Sequence, residues 1–495
     1  MTPYARLEER FRRFALVREA EAILHWDWST MMPPGAAEAR AEQITELKTI
    51  QHGILADPET AGLLDAAEAG NGLDDWQRAN LREMRRAWIH RAALDADLVV
   101  ARSKAEMACE TAWRRAREED DFAAVRPYLE EVLNLVRQAA VAKGEKLGCP
   151  PYDALIDQYE PGFKTADIDA AFGDLPEFLP GFLQDVLAKQ AKQQPILWPD
   201  GPFPVAKQRA LGKRLMGSLG FDFKRGRLDT SLHPFSGGTA DDLRITTRYN
   251  KDDFTESLMG VLHETGHALY EDGLPRQWRH QPVGEARGMG IHESQSLLVE
   301  MQVCRSMAFI SFAAPIIREA FGGEGPAWEA ENLYRIYKEV HPGLIRVDAD
   351  EVTYSLHIFL RYELEKALIG GDLSVADLPG AWNDAMQRWL GVTPPDDRDG
   401  CLQDIHWYDG AWGYFPSYTI GAMAAAQFFT AAKHDDPDIV PGVARGDFKP
   451  LFGWLRANVH SQGSKLTTGE LVEAATGTPL NGDAYKTHLR TRYLG

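Results

Sequence analysis

Ser257-Leu-Met-Gly-Val-Leu-His-Glu-Thr-Gly-His-Ala-Leu-Tyr270 is the stretch from which the rest of this chain is read. The run is compatible with an apolar helix, and its His263 and His267 are four residues apart. On a helix, residues at that spacing share one face, about 6 Å apart along the axis. Two imidazoles so placed can share one divalent ion. Glu264 follows the first His directly, so it can reach a water on that ion without being a ligand. This is the HExxH arrangement of zinc peptidases, in which the ion acidifies the water and the carboxylate takes its proton. A buried His pair on a core helix has the same spacing, so the decision rests on the rest of the chain.

Outward from this run the pattern is overwhelmingly helical. Residues 4–28 predict one amphipathic helix, ended by Ser29-Thr-Met-Met-Pro-Pro-Gly35, and a second is expected from about Ala36 to Gly53. Long charged, Ala- and Arg-rich stretches at 75–118 and 122–144 predict antiparallel helices joined by breakers such as Gly70-Asn-Gly72. Strand character is concentrated at 227–235 and 242–249, which flank Ser236-Gly-Gly-Thr239. That pattern predicts a small antiparallel sheet just before the HExxH helix, where a strand edge can hold an extended substrate backbone. The Pro- and Gly-rich segments at 194–204, 321–327, 370–380 and 391–400 are too short for domain linkers. The expectation is an all-α, mostly helical single peptidase domain over 1–495. Residues 1–145 would form a lid-like helical layer over a cleft in a catalytic body of residues 146–495.

The formal charge of -19 argues against nucleic acid and anionic membranes as partners. It also requires that any anion-binding site have local positive charge. No apolar run reaches the roughly 18 residues of a membrane helix, and the N-terminus lacks a signal-peptide pattern. Four scattered cysteines (109, 149, 304 and 401) without a CxxC pair read as thiols of a reducing cytoplasm.

A catalytic zinc usually takes three protein ligands and one open position. Glu293, in Gly288-Met-Gly-Ile-His-Glu-Ser-Gln-Ser296, opens another apolar-periodic stretch and is the first choice for the third. Glu271, Glu285 and His292 compete.

The segments His263-Glu-Thr-Gly-His267 and His292-Glu-Ser-Gln295 together resemble the Taq-type thermostable metallocarboxypeptidases, HExxH peptidases whose third ligand is Glu. His233-Pro-Phe235 is similar to that family's HPF motif, Asp242-Leu-Arg-Ile-Thr246 to its DxRxT motif and Ile345-Arg-Val-Asp-Ala-Asp-Glu351 to its IRxxADE motif. Gly400-Cys-Leu-Gln-Asp-Ile-His-Trp407 is similar to its GxxQxxHW motif, and Trp26–Gly35 and Arg40–Gln43 also resemble the family. The likeness runs from residue 26 to about 420. It implies an almost all-helical fold of the thimet-oligopeptidase type with a deep groove, a cytoplasmic homodimer, Glu293 as third ligand, and sequential removal of C-terminal amino acids. One divalent ion per subunit is expected, zinc first, with cobalt and manganese also suited to two His and a carboxylate.

Such an enzyme must recognise a free carboxylate, for which the guanidinium fork is suited. Arg346 is the first candidate, with Asp350 and Glu351 near enough in sequence to orient it; Arg244 is the second. Each Arg has an alternative role, pairing with neighbouring acids. The segment His406–Tyr418 resembles the His-plus-Tyr segment of the thimet-type oligopeptidases. By that likeness Tyr418 bonds the oxyanion and His406 holds substrate, with Tyr414 as rival to Tyr418; an aromatic core loop is the plain alternative. His233 is a further candidate substrate contact. Glu264 is expected to deprotonate the water and then protonate the leaving amine. An endo-acting oligopeptidase and a non-catalytic peptide-binding scaffold are the rival functions.

Overall fold

The computed structural model describes residues 1–231 and 234–495. His233 therefore lies outside the described residues. Four helices open the chain: α1 (Pro3–Thr30), α2 (Ala37–Leu55), α3 (Glu59–Glu68) and α4 (Asp75–Ala92). They bury a small core of their own, built from Leu7, Phe11, Leu55, Leu64 and Met84. The long charged stretch after residue 75 is two helices rather than one. The chain leaves α4 at Ala93, and the Asp95 carboxylate accepts the Leu98 N–H, starting α5 (Ala96–Glu119). A side-chain cap of this kind stabilises a new N-terminus and so competes with helix continuation.

From α5 onward the packing changes. Cys109 and Trp113 of α5 and Leu129, Leu133 and Val136 of α6 (Phe122–Leu147) join the main core, which extends to Tyr493. Buried polar contacts tie the first four helices to this body. The Asn80 side-chain amide donates to Gln281 Oε1 at 3.1 Å, and Arg287 donates to Glu83 at 2.9 Å with both side chains at most 5% exposed.

The small sheet is mixed rather than antiparallel throughout. Its strands are β1 (Gly226–Thr230), β2 (Ser236–Thr239) and β3 (Asp242–Thr247), in the order β1-β3-β2. β2 pairs antiparallel to β3 through a tight turn, whereas β1 runs parallel to β3 on its other side. The Gly-rich segment Ser236–Thr239, expected only to lie between two strands, is thus itself a strand. Glycine has low strand propensity, so periodicity does not reveal it. β2 is the edge strand facing the cleft.

Three helices meet at close range behind the candidate site: Thr255–Gly273, Gly288–Leu297 and Pro416–Asp435. Glycine permits the approach. A Cβ at Gly266 would fall 2.6 Å from the Gln295 carbonyl oxygen and 2.7 Å from Ser296 Cα. A Cβ at Gly421 would fall 2.8 Å from Cβ and Cγ of Glu293. Real side chains do not tolerate such distances, so the first two helices cross backbone to backbone. The second continues into a π-helical turn, Leu298–Cys304, which aims Glu300 back at His263. All four cysteines are free. Among the described residues, no single helix is long and apolar enough to cross a membrane.

Candidate metal centre and substrate cleft

A cleft of about 1980 Å³ runs between α1 and α5 on one side and the body on the other. The HExxH helix forms its floor. His263 Nε2 lies 3.9 Å from Glu293 Oε1, and His267 Nε2 lies 3.4 Å from Glu293 Oε2. One donor atom from each of His263, His267 and Glu293 lies within 4.8 Å of the other two. Donors held tetrahedrally at about 2.0–2.2 Å from an ion stand roughly 3.3–3.5 Å apart, so this set fits a divalent metal after small adjustments.

The surroundings orient the imidazoles. His263 Nδ1 stands 2.8 Å from Glu300 Oε2, and Glu300 Oε1 accepts from Arg305 at 2.6 Å. His267 Nδ1 lies 3.1 Å from the carbonyl oxygen of His292. Both rings thereby turn Nε2 toward Glu293, an outer shell of the kind metal-binding histidines use. His292 and Glu271 sit behind His267 rather than among the clustered donors. His292 Nδ1 is 2.6 Å from His267 Nδ1, and its Nε2 is 2.9 Å from Glu271 Oε1. Glu285 is engaged at the cleft mouth by Arg18 at 2.6 Å.

Glu264 lines the cleft beside this cluster, 7% exposed, and its Oε2 has no hydrogen-bond partner among the described residues. Burial, reinforced by the Glu293 carboxylate, pushes its carboxyl up to about 7, against the pull of His263. A carboxyl poised near neutrality both accepts and returns a proton. Sequence reasoning missed Tyr354, whose buried hydroxyl donates to Glu293 Oε1 at 3.1 Å. Its sole sequence signal is its place three residues beyond Glu351.

At another part of the cleft, Arg346 is 6% exposed. Its Nε lies 3.1 Å from both Asp404 oxygens and its Nη2 2.8 Å from Oδ1, while the guanidinium covers the Tyr418 ring at 4.7 Å. Asp404 also accepts from Arg361 at 2.6 Å. The other Arg361 nitrogens donate to Gln403 Oε1 and the His357 carbonyl. Among the described residues, Arg346 Nη1 has no hydrogen-bond partner. The acids expected to orient Arg346 do other work. Asp350 accepts the backbone N–H groups of His341, Val352 and Thr353, and Glu351 holds the C-terminal residues His488, Arg492 and Tyr493.

Arg244 pairs within its own strand with Asp242, at 3.0 and 2.5 Å, and does not line the cleft. His406 Nε2 lies 3.3 Å from the Tyr418 hydroxyl. Burial, with help from Arg346 and Arg361, lowers the His406 ring to about 4 despite Asp404, so it is neutral at pH 7. Tyr414 packs against His406 and Tyr418 at centroid distances of 5.4 and 5.2 Å. Both tyrosines line the cleft.

A helical fold that places HExxH histidines, a third carboxylate and a buried guanidinium along one cleft defines a metallopeptidase. Residues 6–493 match the family described as carboxypeptidase Taq (M32) metallopeptidase. The chain is 39% identical to a thermostable carboxypeptidase of Thermus thermophilus, covering 100% of this chain and 99% of that one. It is 35% identical to a carboxypeptidase of Bacillus subtilis over 97% and 96% of the two chains. The solved structure of metallocarboxypeptidase 1 of Trypanosoma cruzi superposes with a TM-score of 0.97 at 40% identity, covering 100% and 99% of the chains. The chain belongs to the carboxypeptidase Taq (M32) family and is a metallocarboxypeptidase, a peptide hydrolase.

Proposed function

We propose that this enzyme releases amino acids one at a time, with broad specificity, from the free C-terminus of peptides. The carrying observation is that one cleft holds both the His263–His267–Glu293 cluster and the buried Arg346 with an uncommitted Nη1. In this reading the three clustered residues hold one divalent ion per subunit. Zinc suits two imidazoles and a carboxylate best; cobalt and manganese also fit. When bound, the ion supplies Lewis acidity, acidifying a water and polarising the scissile carbonyl.

Glu264 acts as general base, taking the proton of the attacking water as its oxygen bonds to the carbonyl carbon. The same carboxyl passes that proton to the leaving amine as the C–N bond breaks. The Tyr418 hydroxyl, beside Arg346, bonds the oxyanion, and neutral His406 holds substrate. Arg346 binds the terminal carboxylate. Arg244 and His233 act on substrate only secondarily, Arg244 through the sheet it belongs to. The β2 edge holds the substrate backbone. Residues 1–145 serve as a lid-like layer whose last two helices, α5 and α6, root it in the core of the catalytic body 146–495, and the enzyme works as a cytoplasmic homodimer, with no nucleic-acid or membrane partner.

The test compares an unblocked peptide with its C-terminally amidated twin on zinc-loaded enzyme, with products followed by mass spectrometry. Single amino acids should leave the unblocked peptide in order, and the amidated twin should be spared. Efficient cleavage of amidated or internal bonds would overturn the reading in favour of an endo-acting oligopeptidase. A series varying only the terminal residue checks breadth of specificity.

A further inference from the structure

The Glu293 side chain ends in a torsion with little intrinsic preference, because rotation about the bond to a carboxylate is broad and roughly two-fold. Something outside the residue must fix the plane in which its oxygens lie. Gly421 and the helix crossing press on the Cβ and Cγ stem. Apart from the two imidazoles, one described group bonds the carboxylate: the Tyr354 hydroxyl, on Oε1 at 3.1 Å. Oε1 is the oxygen nearer His263, and Oε2 is the one 3.4 Å from His267.

Tyr354 is itself rigidly placed. It opens the helix Tyr354–Gly370, its N–H bonds the Asp350 carbonyl at 2.9 Å, and its ring stands edge-on to Tyr418 with centroids 6.2 Å apart. Asp350 builds the turn below it, and Glu351 locks that turn to the C-terminal residues. The Asp350–Glu351 end of the IRxxADE segment therefore helps deliver one hydroxyl to one carboxylate oxygen.

We propose that Tyr354 is a positioning residue for the metal site: its hydroxyl occupies Glu293 Oε1, sets the carboxylate plane and leaves Oε2 as the principal donor. The inference rests on Glu293 being a ligand. Removing the hydroxyl frees the carboxylate to rotate and to offer both oxygens, without removing any ligand. Outer-shell groups of this kind typically change metal affinity by about 10- to 100-fold when deleted.

The test uses the full chain loaded with cobalt(II), whose visible absorption reports coordination number and symmetry. Tyr354→Phe should retain one ion per chain, weaken affinity for zinc about 10- to 100-fold in chelator competition, and change the cobalt spectrum. The kcat should fall with little change in KM. Tyr337→Phe is the control, since the Tyr337 hydroxyl also lies buried along the cleft but has no hydrogen-bond partner among the described residues; it should leave the spectrum unchanged. An unaltered cobalt spectrum and affinity in Tyr354→Phe would overturn the proposal, as would equal changes in the Tyr337→Phe control. Glu293→Ala separates the two levels. Wild-type metal affinity in that variant would refute the ligand set itself, whereas loss of metal there with a silent Tyr354→Phe would refute only the positioning role.

Discussion

The metal end of the cleft and the arginine end are incomplete in opposite senses. Among the described residues, three buried carboxyl groups at the metal end, Glu264, Glu293 and Glu300, face a single guanidinium, that of Arg305. At the arginine end, two buried guanidiniums, Arg346 and Arg361, share the one carboxylate of Asp404. The first arrangement lacks positive charge and the second lacks negative charge. Buried charge is costly unless paired, so each end is built to be finished by what binds there. In the proposed function, a divalent cation completes one and the terminal carboxylate of a peptide completes the other. This is also how a chain with a formal charge of -19 makes a local anion site.

The largest effect should come at the metal end. Glu264→Gln keeps the ligands and removes the base, so kcat should fall about 10³- to 10⁴-fold while metal content stays at one per chain. Near-normal turnover in that variant would break the assignment of Glu264 as the base. Asp404→Asn tests the other end. It strands two buried guanidiniums, and unfolding measurements should show a loss of about 3–5 kcal/mol.

The Glu83–Arg287 pair, which is not among the clustered donors, calibrates that comparison. Burial alone would raise the Glu83 carboxyl, but Arg287 and Arg86 hold it at about 2. Because its folded value lies below its unfolded value, its stabilisation is full above about pH 4.5 and disappears as pH falls toward 2. It amounts to on the order of 3 kcal/mol. Urea titrations between pH 5 and 3 (about one unit either side of an ordinary carboxylate) should show that slope, and Glu83→Gln should flatten it.

Arg346→Ala leaves Asp404 still paired with Arg361, so the fold should survive. On free-carboxylate peptides kcat/KM should nevertheless drop about 30- to 1,000-fold, with a much smaller loss on amidated ones. Arg346→Lys should rescue only part, lacking the fork. Equal harm to both substrate classes would make Arg346 structural. The smallest effect should be that of Arg244→Ala. Its guanidinium is already balanced by Asp242 and lies off the cleft wall, so kcat/KM should change by less than about threefold.

The two ends also differ in how far they could be read in advance. His263, Glu264 and His267 are related by helical spacing alone; spacing leaves Glu293 in competition with Glu271, Glu285 and His292, and the family resemblance singles it out. The arginine end joins residues 346, 361, 404, 406 and 418, which no local rule relates. Only the resemblance of the IRxxADE and GxxQxxHW segments pointed there. Even so, the two acids expected to orient Arg346 are not its partners, because Asp350 turns back to cap its own loop and Glu351 is drawn away by the C-terminus. The helical class follows from periodicity, and the run Ser257–Tyr270 lies inside a longer helix, Thr255–Gly273. The parallel pairing of β1 and the break at Asp95 depend on tertiary pairing and on a single cap, which composition does not encode.

The crossing at Gly266 and Gly421 has a practical consequence for anyone engineering heat resistance into this enzyme. Replacing a helical glycine with alanine commonly gains about 0.4–1 kcal/mol by restricting the unfolded chain. Gly53, Gly62, Gly453 and Gly469 are open to it, since an added methyl at each would meet nothing within 4 Å. Gly266, Gly290 and Gly421 look identical in sequence, yet a methyl at any of them would collide with a neighbouring helix or the Glu293 stem. Substitution by helix propensity alone would therefore trade metal binding for thermal tolerance, and the distinction is invisible until the three helices are seen together.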